Sequence, residues 1–91
     1  CVDLAFIGAD GVSPEGIYTT EMNIGRVSQA MIAGAKQIVL VVDHRKFEQK
    51  SLVRFASWEA IHRVITDSQV SAKTRKWLRK LGKPITFAAC A

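Results

Sequence analysis

The sequence predicts an α/β fold built mainly from βαβ units around a parallel sheet, and three observations indicate it. Three short apolar runs, rich in β-branched residues, each end in an aspartate: LAFIGAD, IVLVVD and RVITD. Their hydrophobicity is continuous rather than alternating, as in strands that are buried on both faces. Helical patterns lie between them, and strand–helix–strand alternation with short links is typical of a parallel sheet.

The first half of the chain predicts a strand, a loop, a helix and a second strand. The strand LAFIGAD, residues 4–10, leads through the turn-rich passage GVSPEG to a helix from Glu21 to Ala35, with Thr20 as its N-cap. The strand IVLVVD, residues 38–43, follows. The apolar positions of the helix recur at helical spacing: Ile24, Val27, Met31 and Ile32, with small Ala30 and Ala35.

The second half predicts three strands, a short helical turn and a helix. SLVRFAS, residues 51–57, is a strand, WEAIH is the turn, and RVITD is the next strand. A helix runs from Ser71 to Leu81, where Gly82 is a stop signal. Pro84 suits the first residue of the last strand, PITFAAC. The apolar stripe of this helix comprises Thr74, Trp77, Leu78 and Leu81.

A ligand site is predicted at one edge of the sheet. Parallel strands ending in Asp10, Asp43 and Asp67 would place three acids along one rim, where open parallel sheets bind ligands. The Gly/Ser/Thr passage after Asp10 would lead into a helix N-terminus, which suits a phosphate. The acids would repel phosphate but can accept hydrogen bonds from sugar hydroxyls, and Lys46 supplies a positive charge. These groups together predict a polyol-phosphate pocket.

Each of these features also has a purely structural interpretation. An Asp after a strand often forms a turn or caps a helix, above all Asp67, which precedes Ser68 and a helix. The SPEG sequence can be a plain turn with Ser13 first and Gly16 fourth. Thr20 can act only as a cap, and Lys46 can be a solvated surface lysine.

Composition narrows the class of protein. Ninety-one residues, 48% of them apolar, suit one domain, and no apolar run approaches the ~20 residues of a membrane span. The first residues resemble a strand rather than a signal peptide. Cys1 and Cys90 form no disulfide framework, so a reducing, cytoplasmic setting is predicted. His44 and His62 have no metal-ligand spacing and are expected at the surface, and no metal or cofactor is predicted.

The net charge of +5 arises from one segment, KTRKWLRKLGK. Clustered Lys and Arg can neutralise nucleic-acid phosphates, and Trp77 could stack on a base. Helical spacing instead assigns Trp77, Leu78 and Leu81 to a buried face, with the charges on a solvated one. Direct nucleic-acid binding is therefore not the expected function of the chain.

The stretch DLAFIGADGVSPEGIYTTEMNIGRVSQAMIAGAKQIVLVVDHRKF, followed by RVITD, resembles the C-terminal sensor domain of DeoR-family transcriptional regulators. The likeness covers about residues 3–84, through IGADG, a Gly and a Thr pair opening a helix, VVDHRKF and VITD. It implies a fold similar to ribose-phosphate isomerases and CoA transferases. It also implies that a phosphorylated sugar or related metabolite binds and alters the affinity for operator DNA.

The resemblance further implies that residues 1–91 are part of a sensor domain. The winged helix-turn-helix that contacts the operator and the first part of the sensor domain, with its phosphate loop, would lie outside them. Regulators of this kind are usually symmetric oligomers, so a homo-oligomer is expected. Strand edges and apolar surface left uncovered would favour self-association or marginal stability.

The effector site is predicted on nine residues. Asp10 and Glu15 would face sugar hydroxyls, Lys46 would lie near the phosphate, and Asp43 would orient Lys46 or a hydroxyl. The backbone of the first passage and two threonines would line the pocket: Gly8, Ala9, Gly11, Thr19 and Thr20.

An isomerase is the alternative function, because the isomerase relatives share the GAD and VD..K features. Isomerisation needs a carboxylate base. Their D-G-A-D-E pattern is changed here to Ile7 at the first Asp and Gly11 at the final Glu, and Gln29 stands where the catalytic Glu is expected. An amide can bind a sugar but cannot take its proton, so a sensor is predicted in place of an enzyme.

Overall fold

The structure, a computed structural model, describes residues 2–47, 49 and 53–89. Single turns of 3-10 helix lie at His44–Lys46 and Trp58–Ala60, the second where the sequence predicts a helical turn. The other elements are β1 (Val2–Ile7), β2 (Gly11–Ser13), β3 (Gly16–Thr19), α1 (Met22–Gly34), β4 (Ala35–Val41), β5 (Val53–Ala56), β6 (Arg63–Asp67), α2 (Ala72–Lys80) and β7 (Ile85–Ala88).

The main sheet has four parallel strands in the order β1-β4-β6-β7. Each strand lies beside the previous one, so the carboxyl ends of β1, β4 and β6 are neighbours at one edge. One row of the register runs through Ile7, Leu40, Val64 and Ile85. The predicted α/β class with a mainly parallel sheet is confirmed.

A second sheet, antiparallel and of three strands in the order β2-β3-β5, was not predicted as such. The passage expected to be a loop after Asp10 contains the hairpin of β2 and β3, with Pro14 and Glu15 at its turn. The turn interpretation of SPEG is correct, but its flanking strands are too short for an alternating pattern to show. The predicted strand 51–57 appears here as β5, and residues 51 and 52 of it lie outside the described residues.

The core lies between the main sheet and the elements packed on one of its faces. Ile38, Leu40 and Val64 of the main sheet are at most 1% exposed. The second sheet contributes Val12 and Ile17 to the core. Ile61, after the second 3-10 turn, and Leu78 of α2 complete it, and each of these four residues is 0% exposed.

Helix α2 agrees with its prediction and ends one residue earlier, at Lys80. The Ser71 hydroxyl caps it by accepting a hydrogen bond from the Thr74 N–H at 3.2 Å. Thr74 and Leu78 are buried, and Gly82 follows the helix with a φ of 72°. The last predicted strand is β7, and Cys90 of the prediction lies outside the described residues.

Aromatic contacts hold α2 against the rest of the core. Trp77 meets Phe47 and Trp58 edge-on, with ring centroids 5.9 and 5.8 Å apart. The buried Trp58 indole N–H donates to the Ser13 carbonyl at 2.8 Å, which joins this aromatic cluster to the hairpin.

Helix α1 packs in a way that the sequence did not predict. Its N-cap is Glu21, with no side-chain capping bond, and Thr20 serves another purpose described below. Its buried residues are Gly25 and Ser28. A Cβ at Gly25 would lie 3.2 Å from the Thr19 methyl group, so glycine lets the helix approach β3 without displacing that side chain. The apolar stripe faces outward, with Ile24, Val27 and Met31 exposed by 51%, 62% and 40%.

One face of the main sheet is left open near β1. Val2, Leu4 and Phe6 alternate along β1 and are about half exposed, at 55%, 46% and 55%. Phe6 is in register with Val39, so Val41, two residues on and also exposed, shares this face. We call these four residues the open sheet face. None of the helices in the described part of the chain is long and apolar enough to cross a membrane.

Candidate functional site

The three predicted acids lie at the same edge of the main sheet. Asp10 follows β1 by three residues, Asp43 follows β4 by two, and Asp67 is the last residue of β6. Because these strands are parallel neighbours, their carboxyl ends place the acids along one rim.

The Asp10 carboxylate is the centre of a hydrogen-bond network. Its Oδ2 accepts the Thr20 N–H at 2.9 Å, the Thr20 hydroxyl at 3.0 Å and the Thr19 hydroxyl at 3.1 Å. Its own N–H donates to the Tyr18 carbonyl at 2.9 Å. These bonds tie the end of β1 to the junction of β3 and α1. Among the described residues no hydrogen bond reaches Oδ1, which leaves that oxygen for a ligand.

Electrostatics keep Asp10 ionised. The Thr20 N–H bond is the largest cause that lowers the pKa of Asp10, and both Thr hydroxyls and the charge of Lys46 add to it against the opposing effect of burial. Lys46 also lowers the pKa of Asp43, after the larger effect of the Arg45 side chain. Lys46 is thus electrostatically coupled to both acids. An isolated β-bridge between Phe47, the residue after Lys46, and Val12 of β2 holds the Lys46 segment beside the hairpin.

A cavity of about 210 Å³ opens beside Asp10. It is lined by Gly8, Ala9, Asp10, Thr19, Ile24 and Ser28. The first four were predicted, whereas Ile24 and Ser28 were missed as site residues because they lie on α1. Their separation of four residues on a helix is the sequence signal that one face of α1 meets the rim. A carboxylate and two hydroxyl side chains around a small cavity can bind a polyol.

Five of the nine predicted residues do not line this cavity: Gly11, Glu15, Thr20, Asp43 and Lys46. Thr20 bonds to Asp10 Oδ2, Asp43 and Lys46 lie after β4, and the other two belong to the hairpin. Glu15 is at the tip of the hairpin, where its carboxylate accepts the Ser13 hydroxyl at 2.6 Å and its carbonyl accepts an Arg54 N–H at 3.1 Å. Gly11 is buried within β2, opposite Tyr18. Neither residue lines the cavity.

The other end of the rim is an internally satisfied cluster. Asp43, His44 and Asp67 have ligand atoms within 4.8 Å of one another, an arrangement that could hold a cation. The Asp43 carboxylate, however, accepts the Arg45 N–H at 2.8 Å and its guanidinium at 3.2 Å. Asp67 accepts the His44 N–H at 2.9 Å and approaches His44 Nδ1 at 2.8 Å. Burial raises the pKa of Asp67, but the bonds from His44 and Gln69 outweigh it and lower the pKa overall.

Gln29 does not face the Asp10 cavity. Its amide donates to the Phe55 carbonyl of β5 at 3.0 Å, and it lines a separate hollow with Met22, Gly25 and Arg26. The position predicted to replace a catalytic base therefore joins α1 to the second sheet.

A comparison with known protein families decides what kind of domain this is. The family described as the DeoR C terminal sensor domain matches residues 1–68. The chain belongs to this family. The prediction of a DeoR-type sensor domain in place of an enzyme is confirmed.

Several bacterial and archaeal regulators resemble this DeoR sensor domain. HTH-type transcriptional regulator GlpR of Haloferax volcanii is 35% identical over 81 residues, 88% of this chain and 32% of the relative. HTH-type transcriptional repressor GlcR of Bacillus subtilis is 38% identical over 66 residues, 72% of this chain and 26% of the relative. The Glycerol-3-phosphate regulon repressor of Escherichia coli K12 is 28% identical over 68 residues, 74% of this chain and 27% of the relative. The chain thus spans about a third or less of these relatives.

Proposed function

We propose that this sensor domain binds a small phosphorylated sugar or polyol at the Asp10 rim and so modulates operator binding by a separate helix-turn-helix domain. The observation that carries the proposal is the Asp10 carboxylate, with one oxygen left open by the described residues, beside a small cavity at the carboxyl edge of a parallel sheet. Lys46 is near enough to lower the pKa of Asp10. One relative bears the name of a glycerol-3-phosphate regulon, and phosphorylated polyols of this size suit a cavity of about 210 Å³.

The roles of the residues follow from their contacts. Asp10 Oδ1 accepts a ligand hydroxyl, since Oδ2 is occupied by Thr19 and Thr20. The backbone of Gly8 and Ala9, with the Thr19 side chain, forms the wall. Lys46 balances the phosphate charge, and Asp43 holds the rim beside it. Glu15, at the hairpin tip, contacts no part of the ligand.

The setting of the domain belongs to the same proposal. The fold is of the ribose-phosphate isomerase and CoA transferase type, and the intact regulator is a cytoplasmic homo-oligomer. An effector alters DNA affinity only if it binds the two states of the regulator with different affinities.

A calorimetric ligand screen tests the proposal. The chain is unfolded thermally with sugar phosphates, the parent sugars and CoA esters. One phosphorylated compound is expected to raise the Tm with saturation, since a ligand at about 100 times its Kd stabilises by ~2.7 kcal/mol. The same samples are assayed for isomer formation, and none is expected.

Paired variants locate the site. Lys46→Ala is expected to abolish the shift and to change the unliganded Tm little, because the Lys46 hydrogen bond is made by its backbone N–H, to the Asp43 carbonyl at 3.1 Å, and alanine keeps it. Asp10→Ala should also abolish it, at a lower basal Tm. Lys36→Ala and Asp3→Ala remove an exposed ion pair of 3.6 Å elsewhere and should retain the shift. Stabilisation that survives Lys46→Ala would exclude this rim as the site.

A further inference from the structure

The positive charge of the chain is concentrated in and after α2. The segment 71–84 has six Lys and Arg residues and no acid, whereas the remainder has seven basic and eight acidic residues. Within α2 the buried positions are Thr74 and Leu78. Four cations are exposed on the other side, Lys73, Lys76, Arg79 and Lys80, and we call them the α2 basic face.

The cations of this face have no partners among the described residues. The salt bridges of the described residues all lie away from α2. They are Lys36–Asp3, His44–Asp67 and Arg45–Asp43. Cations three and four positions apart, such as Lys76 with Lys73 and Lys80, repel one another on a helix. The repulsion slightly destabilises α2, and an anion bound to this face would relieve it.

Arg75 shows what a structural cation on the same helix does. Its guanidinium donates to the Ser68 carbonyl at 2.8 Å and to the Val70 carbonyl at 3.2 Å, and lies 4.2 Å above the Phe87 ring. Arg75 thus fastens α2 to the loop before it and to β7. The α2 basic face makes no such contacts, so packing does not account for its charge.

Contrary to the expectation from the sequence, we propose that the α2 basic face binds the phosphate backbone of duplex DNA without reading its sequence. Lys73, Lys76 and Lys80 fall within about 60° of the helix circumference and span ~10 Å of its axis. Duplex DNA presents one charge per ~1.7 Å of its axis, so a straight row of cations meets a continuous anionic strip. The contact uses no residue of the Asp10 rim, and it relies on the proposed regulator role only for the presence of nearby operator DNA.

The absence of an apolar anchor favours DNA over an acidic protein. Stable protein interfaces depend on buried aromatic or aliphatic anchors in their centre. The large exposed apolar side chains of the described residues all lie outside α2, in β1, α1 and β4. Trp77 is packed against Phe47 and Trp58. A cationic face of this kind suits a contact that depends mainly on counterion release.

Titration of a labelled duplex tests the proposal. The 91-residue chain is added to a random-sequence duplex of about 20 base pairs at several salt concentrations, and the anisotropy of the label is measured. Because each neutralised phosphate contributes about −0.9 to the slope of log K against log salt, a slope of roughly −3 to −4 is expected. Lys73→Gln, Lys76→Gln and Lys80→Gln together should reduce affinity at low salt at least about tenfold and remove most of that slope.

A second triple variant separates position from net charge. Arg26→Gln, Lys36→Gln and Arg63→Gln also remove three exposed cations, and they should retain affinity within about twofold. Circular dichroism confirms that both variants are folded. No binding by the unaltered chain at low salt, equal losses in both variants, or tighter binding of polyglutamate than of DNA would each overturn the proposal.

Discussion

Asp10 connects three parts of the molecule through one oxygen atom. Its Oδ2 accepts hydrogen bonds from Thr19 and Thr20, which joins the loop after β1 to the end of β3 and the start of α1. The carboxylate thus has two roles: one oxygen is proposed to bind the ligand, and the other stabilises the fold. Substitution there should therefore alter stability as well as ligand affinity.

Asp10→Asn is expected to make the free energy of unfolding fall less steeply as the pH is lowered. The folded pKa of Asp10 is lowered, so its stabilisation is present above the unfolded pKa of ~3.9 and is lost as pH falls through the folded pKa. At neutral pH the free energy of unfolding of the variant should be about 1–2 kcal/mol lower. The bonds from Thr19 and Thr20 would then go to a neutral amide oxygen, which is a weaker acceptor than a carboxylate. Urea unfolding between about pH 2 and pH 7 measures both effects.

Asp3→Asn is the matched control, since the Asp3 side chain is 92% exposed. A pH profile of Asp10→Asn that falls as steeply as that of the unaltered chain would show that Asp10 does not contribute. Asp43 and Asp67, whose pKa values are also lowered, account for the acid sensitivity that remains.

The hairpin of β2 and β3 is the element that shapes the rim. It separates the Asp10 end, where the cavity lies, from the Glu15 end, where the turn faces solvent. Gly16, the first residue of β3, has a φ of 157° and lies against β5. A Cβ there would be 2.7 Å from the Ala56 carbonyl oxygen and 2.8 Å from Arg54 Cδ.

Gly16→Ala is expected to destabilise the chain by about 2 kcal/mol or more, through backbone strain and the clash with β5. For a domain of this size the Tm should fall by roughly 8 °C or more in calorimetry. Gly34→Ala is the control, because a Cβ at the last residue of α1 would meet nothing within 4 Å. That variant should be neutral or up to about 1 kcal/mol more stable, and equal losses in both would contradict the argument.

The sequence predicted long elements well and short ones poorly. The strands of the main sheet and α2 carry clear patterns, so their order and the rim of acids followed from them. The predicted ends were wrong for two strands, because β1 ends at Ile7 and β4 at Val41, before the aspartates. β2 and β3 have three and four residues, too few to show a period, and they were taken for a loop. The orientation of α1 depends on Gly25 and Ser28 rather than on its apolar stripe, and hydrophobic spacing alone cannot show that. The placement of Ser28 in the site was missed for the same reason.

At the scale of the whole molecule, the main sheet is covered on one face and open on the other near β1. All-parallel sheets are found almost entirely with both faces covered. The open sheet face and the apolar groove between β1 and α1, about 730 Å³, together form a large exposed apolar surface. Among the described strands β1 is also at the edge of its sheet, where a strand of another chain can pair with it.

Phe6→Lys is expected to reduce self-association of the chain, because a charge on an edge strand disfavours pairing with another strand. Phe6 is 55% exposed, so the free energy of unfolding should change by only about 0.5 kcal/mol. Sedimentation velocity over a range of protein concentrations measures the association. Gln37→Lys adds the same charge at an exposed position of the interior strand β4 and should have less effect. A monomer at all concentrations before substitution would contradict the expectation.

The cluster of Phe47, Trp58 and Trp77 has a spectroscopic consequence. Trp58 and Trp77 are the two tryptophans of the chain, and their rings lie 5.8 Å apart. The tryptophan emission of the protein therefore comes from a single place, where α2 meets the segment that bonds to the hairpin. It reports whether that helix is docked and not whether the Asp10 cavity is occupied. A metabolite that leaves the emission unchanged can still be the effector.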